Sequence, residues 1–228
     1  MNPTLRIARL VAAKDLRIEW RSRVVANQVV PFAALVMVLF AFALDNDTVL
    51  NRVAPGLVWL AALFSLLVLV QRAFAIETAD GALDALTVAG VRPGGIFLGK
   101  ALALAAQLAV LELVVQVLAV VLYRAHLGSS GLLLLVCTFL AAVTSLAFVG
   151  TLYGGLSAGA KGRETLLPLL MLPVVAPVLI GATRATEAAL GTNGATSSEG
   201  WPWVGLLALF AAVFGIGGTY AFGSLIDA

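Results

Sequence analysis

Six long apolar stretches separated by short polar joints run through this chain, and that repetition constrains the fold more than any other feature. Only 11% of the residues are charged, and the mean hydropathy is +1.05. A soluble domain of 228 residues has too little interior to bury so much apolar surface. The stretches cover residues 24–44, 53–70, 101–123, 132–158, 166–182 and 201–222. Each approaches the roughly 20 residues that a helix needs to cross a hydrocarbon core. Spanning β-strands would be short and alternating, whereas continuous apolar runs satisfy every backbone amide within their own helix. The sequence therefore predicts an all-α polytopic membrane protein with six transmembrane helices, forming a single transmembrane domain over residues 1–228.

Ala41, Phe42 and Ala43 give the first run an end that looks like a signal-peptide cleavage site. The run is too long for a signal peptide, and eight charges in the 23 residues before it fit a retained first helix better. With a cytoplasmic N-terminus, Arg6, Arg9, Lys14, Arg17, Arg21, Arg23, Arg72, Arg92, Lys100, Lys161 and Arg163 fall inside, and only Arg52, Arg124 and Arg184 fall outside. Both termini are thus expected in the cytoplasm. The net charge of +2 follows from this asymmetry and gives a nucleic-acid-binding reading no support.

Three segments outside the spans carry pattern. Along residues 4–23, Ile7, Leu10, Val11 and Ile18 form a helical stripe interrupted by Lys14, with Leu16 and Trp20 off it. The stripe suggests a helix lying in the cytoplasmic interface with Lys14 snorkelling, or else a charged lead-in that only fixes topology. The loop over residues 71–100 is longer than a connection between adjacent spans requires. Within it Glu77, Asp80 and Asp84 occupy one helical face, and Ile76, Ala79, Leu83 and Leu86 the other. That short helix should end near Gly90, with Pro93, Gly94 and Gly95 turning the chain back to the membrane. It reads either as an amphipathic helix on the bilayer or as a docking element for a partner. The acids read as a solvated face, and no metal site is expected. Residues 183–200, rich in Gly, Ser and Thr after a short helical turn, are expected to form an exposed, mobile cap.

Catalytic machinery is missing. His126 stands alone on the outer side, Cys137 stands alone in the fourth span, and the span hydroxyls have no base beside them. Gly94, Gly99 and Lys100 reproduce part of a phosphate-binding loop, but Ala101 replaces the magnesium-binding Ser or Thr, and Ile96, Phe97 and Leu98 lead straight into a span. No catalytic residue and no bound cofactor are expected. If ATP powers this protein, another chain binds it.

Inside the membrane, Glu112 sits at the centre of the third span between Gln107 and Gln116, and Gln116 at i+4 shares its face. A carboxylate there is costly when charged and unpaired, and it serves either function or helix adhesion. Gly150, Gly154, Gly155 and Gly159 make small-xxx-small patterns suited to close helix contact, within one chain or between subunits. Pro168, Pro173 and Pro177 crowd the fifth span, which should be bent or broken there, either as a fixed kink or as a gating hinge.

The run Glu77-Thr-Ala-Asp-Gly-Ala-Leu-Asp-Ala-Leu86, followed by Ile96-Phe-Leu-Gly-Lys100, resembles the cytoplasmic loop of the haem exporter protein B family, the permease of bacterial cytochrome c maturation. So does Lys161-Gly-Arg-Glu-Thr-Leu-Leu-Pro-Leu-Leu-Met-Leu-Pro-Val-Val-Ala-Pro-Val-Leu-Ile180, the more specific of the two motifs. The charged start Lys14-Asp-Leu-Arg-Ile-Glu-Trp-Arg21 is also similar, and the likeness covers nearly the whole chain.

The resemblance implies an ABC-2-type permease with an N-terminal interfacial helix and a cytoplasmic coupling helix, in the plasma (inner) membrane of a bacterium. It implies dimerisation with a second copy and pairing with two copies of a separate ATPase that carries the ATP and magnesium. On the same footing Glu77, Asp80, Gly81, Leu83, Asp84 and Leu86 would contact that ATPase. A haem-handling membrane protein and a haem chaperone would be further partners, with haem handled by the complex. Two rivals stand beside this reading: an ABC-2 permease exporting another lipophile, and an ion-coupled secondary transporter using Glu112. A scaffold without transport is a third class. The prolines cluster in span five alone, so the inverted repeat of broken spans common in secondary transporters is absent.

Overall fold

A computed structural model of the chain describes residues 3–44, 46–79, 81, 85–86, 88–123, 129–158 and 163–226. Helices account for nearly all of them. Helix α1 is Pro3–Ser22, and a π-helical turn, Val25–Val29, runs into α2, Val30–Ala43. Then follow α3 (Asp47–Ala79), α4 (Pro93–Tyr123), α5 (Ser129–Ala158), α6 (Arg163–Leu190) and α7 (Ser197–Ile226). Among the described residues six helices are long and apolar enough to cross a membrane: Val25–Ala43, Thr48–Glu77, Pro93–Leu122, Gly131–Ala158, Leu166–Leu190 and Ser197–Leu225. The protein is an all-α, multi-pass membrane protein.

Local chemistry sets the ends. Asn46 caps α3, its Oδ1 accepting from the amides of Thr48 at 2.9 Å and Val49 at 3.2 Å. Pro93 opens α4, where its missing N–H costs nothing. Four of the expected spans grow by several residues. Helix α3 continues to Ala79 and α4 starts at Pro93, so helix fills most of the supposed 71–100 loop. Pro93, Gly94 and Gly95 begin the helix instead of turning the chain. At the other end α6 continues to Leu190 and buries Ala185, Thr186, Ala188 and Ala189, so the first part of the expected mobile cap is packed helix. Pro168, Pro173 and Pro177 lie inside α6, which runs unbroken through all three.

Apart from a smaller cluster of Leu134, Ala188 and Ala189, the core is one continuous apolar cluster drawn from α2 to α7. Phe97 is its hub near the end that holds α1, with ring centroids 5.8 Å from Phe148 and 5.6 Å from Phe222. Gly218 makes room for it, since a Cβ there would stand 2.2 Å from the Phe97 ring. The glycines of α5 serve packing within the chain. A Cβ on Gly150 or Gly154 would strike Val70 at 2.8 Å, and one on Gly155 would strike Phe222 at 2.4 Å. Gly159 lies outside the described residues. Toward the opposite end, the Trp59 indole N–H donates to Thr186 Oγ1 at 2.9 Å, tying α3 to α6 inside the core.

Candidate functional site

The polar chemistry of the molecule gathers where α1 lies against the ends of α3 and α4. Two glycines one turn apart on α4 let α1 approach. A Cβ on Gly95 would meet Ile7 Cγ2 at 2.8 Å, and one on Gly99 would meet Val11 Cβ at 2.6 Å and the Ala8 carbonyl at 2.7 Å. The stripe of Ile7, Val11 and Ile18 therefore faces protein, not lipid. Leu10 lies off that buried face and is exposed.

One turn beyond Val11, charges meet. Lys14 Nζ donates to Glu77 Oε1 and lies 3.1 Å from Asp15 Oδ1. Lys100 Nζ, from α4, donates to the same Glu77 oxygen at 3.0 Å and to Asp15 Oδ2 at 3.4 Å. Two cations face two carboxylates, so the cluster is neutral. Lys100 also stands 5.0 Å from the centroid of the Phe74 ring. Glu77 and Lys100 side chains are only 2% and 3% exposed. Partial burial acts to lower the Lys14 pKa, but the hydrogen bond to Glu77 and the charges of Asp15 and Glu77 together raise it above the ordinary 10.5.

A second pair continues the seam. Glu19 Oε2 lies 3.7 Å from Arg72 Nη1, and Arg72 Nη2 donates to Ser22 Oγ at 2.7 Å. The other Glu19 oxygen accepts the Val25 amide at 2.6 Å, so one side chain joins α1 to the start of the first span across Arg23. Arg23 itself is left-handed at φ 52°, the break that redirects the chain from α1 into the membrane.

Between these two groups lies a cavity of about 40 Å³, bordered by Asp15, Glu19, Arg72, Glu77, Lys100 and Gln107. That is room for a few waters and far too little for a porphyrin. On the far side of Arg72 an open crevice of about 360 Å³ runs between Gln28, Gln71, Phe74, Ser157 and Leu167. No His, Cys or Met is among the described residues lining either space, so neither offers haem iron an axial ligand.

The predicted site residues separate accordingly. Glu77 is not on a solvated acidic face: it belongs to the last turns of α3 and points into the cluster. Lys14 does not snorkel but pairs. Asp80, Leu83 and Asp84 lie outside the described residues. Gly81 has φ 60°, and Ala85, Leu86 and Val88 are helical. This short helix ends as the sequence suggests: Gly90 is left-handed at φ 67°, and the Val91 amide reaches back to the Leu86 carbonyl at 3.1 Å. Leu86 packs on the core, whereas Val88 is exposed.

The intramembrane trio also divides. Gln107 borders the cavity beside Lys100, one helical face away from Glu112. Glu112 is buried, accepts from Gln116 Nε2 at 3.4 Å through Oε1, and has no hydrogen-bond partner for Oε2 among the described residues. His126 lies outside the described residues. Sequence reasoning missed Asp15, Glu19, Lys100 and the Gly95/Gly99 pair as a site. Only the Glu77–Lys100 half of it left a signal, an acid ending one apolar helix and a lysine near the start of the next, whereas nothing pointed to Asp15 and Glu19.

Comparison with known proteins adds a lineage. Residues 6–227 match the family model described as CcmB protein. The chain is 33% identical over 186 residues to a protein of Rhodobacter capsulatus named heme exporter protein B, covering 80% of this chain and 84% of that one. A protein of the same name from Pseudomonas aeruginosa is 31% identical over 213 residues, 89% of each chain. The one from Escherichia coli K12 is 31% identical over 196 residues, 77% of this chain and 79% of the relative.

Proposed function

The chain belongs to the CcmB protein family, and we propose that it is the permease subunit of an ABC-type haem exporter complex in c-type cytochrome biogenesis. In this reading it carries no catalytic residue. A separate ATPase, in two copies beside two copies of this chain, hydrolyses ATP, and the permease couples that work to loading or release of a haem chaperone alongside a haem-handling membrane protein. The complex would sit in the bacterial inner membrane with both termini cytoplasmic.

The observation that carries the coupling is the charge cluster. The segment between α3 and α4 is flanked by Glu77 and Lys100, and those two residues are bonded to each other and to α1. A push on that segment by a moving ATPase would be delivered to both flanking spans and, through Asp15, Lys14 and Glu19, to α1 and the entry of the first span. Packed, ion-paired elements of this kind shift as units. The absence of an axial iron ligand in either described space favours a mechanical part over a dedicated haem site.

The test is affinity purification of the tagged chain from its native membrane, with and without Asp80→Lys plus Asp84→Lys. The expected result is recovery of an ATPase and haem-maturation proteins, with the ATPase lost in the double variant. Recovery of the chain alone, still supporting transport, would sink the permease reading.

A further inference from the structure

Helix α1 is two-faced in charge. Its acids are turned inward, Asp15 to Lys100 and Lys14, and Glu19 to Arg72 and the Val25 amide. Its arginines are turned outward: Arg6, Arg9, Arg17 and Arg21 are all exposed, and none forms an ion pair among the described residues. At 100° per residue they fall on one side of the helix together with Leu5, Leu10, Leu16 and Trp20. Those apolar side chains are 56%, 62%, 38% and 80% exposed.

The placement of this face decides what it meets. Successive contacts pair Ile7 with Gly95, Val11 with Gly99 and Asp15 with Lys100, so α1 runs beside the first turns of α4, whose spanning segment begins at Pro93. Glu19 then ties the helix directly to the first span. The helix is therefore held at the depth of the membrane boundary, and its outer face points away from the bundle, where lipid is the neighbour. Tryptophan with arginine and leucine suits the headgroup layer: the ring and leucines enter the acyl boundary, and the guanidinium groups take phosphate oxygens.

We propose that the outer face of α1, built from Arg6, Arg9, Arg17, Arg21, Leu16 and Trp20, is a binding surface for anionic phospholipid headgroups of the leaflet beside it. The salt cluster with Glu77 and Lys100 holds the helix in register, and the arginine face fastens it to the bilayer. This inference depends on the membrane-spanning fold and not on the exporter reading.

The experiment uses the full chain in nanodiscs, with Cys137→Ser and Ala13→Cys providing one labelling position on the outer face for a fluorophore. In discs of phosphatidylcholine with about one-third phosphatidylglycerol, a small and equal fraction of either phosphatidylglycerol or phosphatidylcholine carries a spin label high on its acyl chain, and the quenching by the two labelled lipids is compared. The expected result is quenching by the labelled phosphatidylglycerol at least about twofold stronger than by the labelled phosphatidylcholine, brought to parity by 1 M salt, as for other polybasic membrane contacts. Changing the four arginines to glutamine should return quenching by the labelled phosphatidylglycerol to the neutral-lipid level. Equal quenching of the unchanged arginine face by both labelled lipids would overturn the proposal without recourse to any arginine variant. Protection of the probe only when an ATPase subunit is added would also overturn it, in favour of a protein partner.

Discussion

Lys100 Nζ lies 3.0 Å from Glu77 Oε1 across the junction of α3 and α4, with both side chains almost fully buried and Lys14 sharing the same oxygen. Removing one member of a buried ion pair leaves the other uncompensated, at a cost of about 3–5 kcal/mol. Glu77→Gln and Lys100→Met should each destabilise the protein by about that amount in a thermal or SDS unfolding series. The double variant Glu77→Leu with Lys100→Met should recover most of the loss, because Lys14 and Asp15 remain as a neutral pair 3.1 Å apart. A double variant as unstable as the worse single one would mean that the pair does more than neutralise charge.

Lys14 gives a pH signature. Its pKa is raised above 10.5 in the folded protein, so the stability it contributes is complete below 10.5 and is lost as pH climbs through the higher folded value. The stability difference between the wild type and Lys14→Met should stay constant from neutral pH to about 10 and shrink above 10.5. A difference that shrank on acidification instead would assign the effect to a carboxylate.

The close approach of α1 to α4 depends on Gly99. A leucine there would place its Cβ 2.7 Å from the Ala8 carbonyl, which is backbone and cannot swing aside. Gly99→Leu is expected to lift α1 from its seat, opening Arg17 and Arg21 to trypsin while the six spans stay folded by circular dichroism. Overpacking of this kind costs about 1–3 kcal/mol, so the spans have margin to survive it. Unchanged protease resistance would show that α1 is held by its charges alone.

The spans were legible because a continuous apolar run has one solution in lipid, a helix that satisfies its own backbone. The end of the short helix at Gly90 was legible for the same local reason, a residue free to adopt φ 67°. The charge cluster was hidden because it joins residues from three elements, Asp15, Glu77 and Lys100, and a helical wheel shows each only its own neighbours. Glu77 fitted an acidic face with Asp80 and Asp84 by period, and the continuation of α3 to Ala79 moved it inward instead. The stripe of Ile7, Val11 and Ile18 was visible, but no periodicity says whether an apolar face meets lipid or a pair of glycines. Gly150, Gly154 and Gly155 posed the same ambiguity, and Val70, Phe74 and Phe222 resolve it.

Glu112 separates the two transport mechanisms. The carboxyl is buried in the middle of α4, with Gln116 on one oxygen and no described partner on the other. An ion-coupled transporter would need that group to gain and release a proton in each cycle, so Glu112→Gln would abolish transport. An ATP-driven permease needs from it only shape and a hydrogen bond to Gln116, both of which glutamine provides. Glu112→Gln is therefore expected to fold, to recover the same partners and to support c-type cytochrome formation at near wild-type yield. Glu112→Ala, which strips Gln116 of its acceptor and leaves a void, should lose about 1–3 kcal/mol of stability. Loss of cytochrome formation in Glu112→Gln, with stability and partners intact, would favour a proton-driven over an ATP-driven mechanism and place this carboxyl at its centre.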